Sequence, residues 1–115
     1  MIVVNNIIQE GSSAWAEITT SDINDLLVIP KTMNYWWTDS DGIAINNRNN
    51  IEIDSNSLST VTFIELTPED TTLPSNQRYD QQRILTVKYT YDSIRGNDKT
   101  KTFKCNILIE AFLAL

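Results

Sequence analysis

This chain predicts an all-β fold of two packed sheets, on three observations. Leu85, Val87, Tyr89 and Tyr91 alternate with Thr86, Lys88 and Thr90, and Phe103, Cys105, Ile107 and Ile109 alternate with Thr102, Lys104 and Asn106. Side chains two residues apart share a face of a strand, so each run has an apolar face to bury, and two such strands need a second layer over them. No stretch sustains a 3.6-residue apolar period, and turn-forming clusters recur every 8–12 residues or so, the spacing of a sandwich.

Taken in order, Ile2, Val3, Val4, Ile7 and Ile8 suit an edge strand or an arm, and Gln9 to Ser13 form a turn. Ala14, Ala16 and Ile18 oppose Trp15, Glu17 and Thr19 across a weak strand. Leu26-Leu27-Val28-Ile29, stopped by Pro30, is too short for a helix and reads as strand or packed loop. Thr32 to Thr38 is the clearest strand of the first half, with Met33, Tyr35 and Trp37 facing one way and Asn34 and Trp36 the other. Asp39-Ser40-Asp41-Gly42 is a turn, and Ile43-Ala44-Ile45 begins a return. Ile51-Glu52-Ile53 is a brief strand. Leu58 to Leu66 is another, on which Val61 and Phe63 compete with Ile64 and Leu66 for the inner face.

Thr67-Pro68-Glu69-Asp70 carries a helix-start signal: a capping threonine, a proline suited to the first helical position and two acids for the positive end of the dipole. Leu73-Pro74 closes it almost at once, which predicts a single helical turn near residues 67–72. In the loop from Asp92 to Lys99, Gly96-Asn97 is the pair expected to supply positive φ.

The 115 residues predict one domain spanning 1–115, long enough to bury roughly 65% of its unfolded surface. A formal charge of −6 argues against nucleic acid, whose backbone is held by clustered cations. The N-terminus lacks a basic segment and no apolar run spans a bilayer, so neither export nor a membrane partner is expected. With no histidine and only Cys105, His-based acid–base, zinc and activated-thiol chemistries fall away. No cofactor or metal is expected, and no enzyme. Asp39-Ser40-Asp41-Gly42 reaches its glycine too early for a calcium loop and is read as a hairpin turn. Glu65, Glu69 and Asp70 read as a solvated strand face and helix-start acids.

Val61 to Thr71 followed by Arg83 to Tyr91 resembles an immunoglobulin-type E strand, helical turn and F strand, without the paired cysteines. Either Trp36 or Trp37 stands where that fold has its core tryptophan. Thr32 to Gly42 together with Val61 to Thr71 also resembles the small β-sandwich structural proteins of tailed bacteriophages. That resemblance implies an immunoglobulin-like antiparallel sandwich of about seven strands, serving as a head–tail connector, tail, baseplate or capsid-decoration part. Such a part is assembled in the host cytoplasm, ends in the virion, and has copies of itself and other virion proteins as partners.

Two places offer a contact surface. Of the adjacent Trp36 and Trp37, one fills the core and the other is covered or exposed; an exposed Trp36 is a candidate to stack on a glycan or anchor a protein. From Leu108 onward the alternation is lost, and Leu108, Phe112, Leu113 and Leu115 add apolar surface on both faces. Either the same chain covers that segment or a neighbouring subunit does, and the neighbour is favoured.

Overall fold

The computed structural model describes residues 1–73 and 79–111. Its strands are β1 (Ile2–Val3), β2 (Ile7–Gln9), β3 (Ala14–Thr19), β4 (Thr32–Asp39), β5 (Ile51–Glu52), β6 (Val61–Leu66), β7 (Gln81–Ser93) and β8 (Gly96–Glu110). They form a three-stranded sheet in the order β1-β3-β6 and a five-stranded sheet in the order β2-β8-β7-β4-β5. The all-β expectation therefore holds, with the two sheets packed as a sandwich. The long β7–β8 pair sets the long dimension of a body measuring 56 × 23 × 21 Å, because fifteen extended residues reach about 50 Å.

The alternation seen in the sequence is the alternation that is buried. Leu85, Val87 and Tyr89 of β7, Ile107 and Ile109 of β8 and, beside them in the same sheet, Met33 and Trp37 of β4 are fully enclosed with Ala16 and Ile18 of β3 in the other sheet. On β6 the contest resolves in favour of Thr62, Ile64 and Leu66 inside, leaving Phe63 outside. Trp37, not Trp36, is the core tryptophan, and its indole N–H donates to the Asp70 carbonyl at 2.9 Å.

Four expectations need correction. The Thr67 signal makes a hydrogen-bonded turn, not a helical turn, and the 3-10 turn lies at Ser55–Ser57 instead. The Asp70 carboxylate folds back to accept from the Thr67 N–H and Oγ1 (2.8 and 3.1 Å), and the Asp70 carbonyl is held by Trp37, so the chain cannot wind on. Ile43–Ile45 contributes a lone bridge between Ala44 and Thr38 rather than a strand. The hairpin loop is tighter than Asp92–Lys99: Ser93 pairs with Gly96, and positive φ falls at Gly96 and Asp98, not Asn97. Leu26 and Leu27 belong to neither sheet's core and stand exposed.

The N-terminal arm divides between the sheets. Ile2 and Val3 pair antiparallel with β3, and Ile7 to Gln9 then pair parallel with Leu108 to Glu110. The edge of β8 at its C-terminal end is thus taken by the same chain, and Ile109 is core. Residues 108–110 thus have a same-chain neighbour along their edge, while Leu108 stays half-buried on the outer face of the sheet.

Candidate functional site

One end of the rod carries a loop that is ordered yet apolar. Asp22 is buried, and its Oδ1 accepts from the N–H groups of Asn24 (2.8 Å) and Leu26 (3.0 Å). The Thr20 hydroxyl donates to the Val28 carbonyl at 2.7 Å, and Tyr89 reaches up from the core to donate to the Ser21 carbonyl at 2.7 Å. These bonds fix residues 20–28 while Ile23, Leu26, Leu27 and Ile29 point outward, each 61–70% exposed. The β7–β8 turn belongs to the same end: Lys31 bonds Asp92 and Asp98 at 3.3 and 2.6 Å, and Ile94 at the tip is 94% exposed.

Pinning a loop through a buried aspartate and a core tyrosine hydroxyl lets it present apolar side chains without collapsing onto the protein. Five large aliphatic residues at one tip form an unusual surface for a water-facing loop. Sequence reasoning missed this site because a short apolar run reads as buried. The available signal was its frame, Asp22 and Asp25 on one side and Pro30 on the other, which marks a loop.

The outer face of the five-stranded sheet gathers two of the sequence-derived residues. Trp36 is half-buried in a groove of about 320 Å3 lined by Thr32, Asn34, Asn50, Lys88 and Thr90. Its polar wall is ordered: Asn34 donates to Asn50 at 3.0 Å, and the Thr32 and Thr90 hydroxyls lie 2.7 Å apart. Leu108 lies further along the same face, half-buried between Ile7 and Gln82. Phe112, Leu113 and Leu115 lie outside the described residues. On the opposite face of the molecule, Val3, Trp15 and Phe63 are 50–59% exposed around Glu17 and Glu65 of the three-stranded sheet.

A second hollow, of about 410 Å3, opens where β4 ends and β7 begins, lined by Asp39, Asp41, Tyr79, Asp80 and Arg83 among others. Arg83 is buried at its base, with Nε unbonded; burial pushes its pKa down and the charge of Asp39 opposes this. Asp39 is occupied as a turn residue, accepting from the N–H groups of Asp41 and Ile43 at 2.8 and 3.0 Å.

Glu65, Glu69 and Asp70 do not converge on one site. Asp70 is fully buried and structural, Glu69 is exposed beside it, and Glu65 lies on an outer sheet face. Burial alone would raise the Asp70 pKa; hydrogen bonds from Asn46, the Thr67 N–H and Arg48, with the charge of Arg48, reverse this and hold it below its ordinary value. Burial pushes the Cys105 thiol up, away from a reactive thiolate. Comparison with family models, with curated proteins and with solved structures gives no match to this chain.

Proposed function

We propose that this chain is a non-enzymatic assembly protein of a bacteriophage particle, in its neck, tail or capsid-surface region, working through protein–protein contacts. The observation that carries the reading is the pinned apolar loop: Ile23, Leu26, Leu27 and Ile29 are held outward by bonds to Asp22, Thr20 and Tyr89. A surface of rigid aliphatic side chains gains free energy only when something covers it. The particle setting rests on the resemblance of the Thr32–Gly42 and Val61–Thr71 stretches to phage sandwich proteins, and oligomerisation is part of the same reading.

The finer, immunoglobulin-like assignment is supported by the wiring. β3 and β6 lie in one sheet and β4, β7 and β8 in the other, as the B, E and C, F, G strands do, and Trp37 is buried on the strand equivalent to C. Turnover forms no part of this function: the chain has no histidine, and burial raises the pKa of its single thiol.

The test is quantitative mass spectrometry of purified particles, comparing the wild-type chain with Leu26→Asp/Leu27→Asp. The expected result is a fixed copy number for the wild type and at least about tenfold less of the variant, which stays folded in isolation. Absence of the wild type from particles, or full incorporation of the variant, overturns the reading.

A second reading is favoured by one observation, the groove in which Trp36 is flanked by ordered Asn and Thr side chains. An aromatic face beside amides and hydroxyls suits a glycan, held through stacking and hydrogen bonds. Binding on a glycan array that Trp36→Ala abolishes would favour it over the assembly reading.

A further inference from the structure

The five-stranded sheet has two open edges of opposite character. On β8 the Leu108 N–H donates to Asn6 and the Glu110 carbonyl accepts from Glu10, so the backbone groups of these even-numbered residues point away from β7. Strand alternation then points the groups of Thr100, Thr102, Lys104 and Asn106 the same way, and among the described residues no strand pairs with them. Lys104 stands exposed on this edge strand, with Lys99 and Lys101 on its other face, where Lys101 donates to the Ser21 hydroxyl at 3.3 Å. From residue 88 to 104 the chain carries five cations against two aspartates, although its formal charge is −6.

The other edge is β5. The Ile53 N–H turns inward to the Met33 carbonyl, so the backbone of Glu52 faces out, flanked by exposed Glu52 and Asp54 side chains. Both flanks also leave the core half-covered: Ile51 and Ile53 at one, Phe103 and Cys105 at the other, are partly buried and pack against it.

We infer that the β5 edge of one copy pairs with the β8 edge of the next, joining their five-stranded sheets head to tail. Side chains keep their faces when two edges join, so Ile51 and Ile53 come beside Phe103 and Cys105, while Glu52 and Asp54 come beside Lys104 and Thr102. Backbone bonds provide the affinity and the charges provide the direction. Pairing of β8 with β8 would instead crowd lysines from both copies. A contact between two different edges is heterologous and builds a ring or a filament rather than a closed dimer. The inference rests on the assembly reading and names a second copy as one partner, leaving the apolar tip for another protein.

Charge reversal tests it, by sedimentation of the full chain with Lys104→Glu and Glu52→Lys variants, both at exposed positions. The wild type associates as concentration rises, more weakly in high salt. Each variant alone loses at least about tenfold in association constant, from like charges brought together. The two variants mixed recover wild-type association within about threefold, because each supplies the edge the other needs. A wild type that stays monomeric at about 1 mM, a mixture that does not recover, or a Lys104→Glu chain that associates more tightly overturns the inference. If the wild type is monomeric yet present in particles, head-to-tail pairing fails and the assembly function stands. If the swap pattern holds but particles lack the chain, the reverse is true.

Discussion

Asp70 is the residue on which the most separate parts of the molecule converge. Its carboxylate accepts from Asn46 Nδ2 at 2.8 Å, Arg48 Nε at 3.1 Å and the Thr67 N–H, and its carbonyl receives Trp37. Removing one partner of a buried ion pair strands the other, so Asp70→Ala should cost about 3 kcal/mol in urea unfolding, the low end of the range because Arg48 keeps some solvent. The Asp70 pKa is held below its unfolded value near 3.8. Its contribution is therefore complete above that pH and lost as pH falls through the lower folded value. The urea midpoint of the wild type should drop more steeply below pH 4 than that of Asp70→Asn, and parallel profiles would contradict the assignment. The two adjacent tryptophans should also separate. Trp37→Ala should cost about 3–5 kcal/mol and Trp36→Ala about 1 or less, since only Trp37 is enclosed. Alternation alone told us that the pair splits; deciding which one is core required the far-off Asp70 carbonyl, and nothing local encodes that.

Among the elements, β7 and β8 were legible because their alternation is long and each phase error would expose four or five apolar side chains. Ile107→Ala should accordingly cost about 2–5 kcal/mol on chemical denaturation, and a loss under about 1 kcal/mol would mean the inner face is wrong. The pairing of β2 with β8 was not legible. The backbone bonds that join them, such as that from the Leu108 N–H to the Asn6 carbonyl, leave no mark on either stretch, and the unalternating run at Leu108 invited a partner from outside. Replacing Ile7-Ile8-Gln9 with Gly-Ser-Gly should free the Leu108 amide to exchange hydrogen faster, while the amides of Trp37 and Val87 keep their protection. Unchanged exchange at Leu108 would remove β2 from the sheet. The Thr67 turn failed for a related reason: its capping signals are real, but the acid expected to favour a helix dipole turned inward to serve Asn46 and Arg48.

At the scale of the whole molecule, the sandwich separates its surfaces by position. The apolar loop and Ile94 occupy one tip of a 56 Å rod, the Trp36 groove and Leu108 share one broad face, and the two charged edges run along the flanks. The fold class was readable from strand period and turn spacing. The tip was not, because a short apolar run has the same composition whether buried or displayed, and only the bonds from Asp22 and Tyr89 distinguish the two. The central claim is that this tip is covered by another protein in the particle. Hydrogen–deuterium exchange of the chain, free and within purified particles, measures that directly. The account predicts slower exchange at residues 22–29 and 93–96 in the particle; equal exchange there in both states would contradict it.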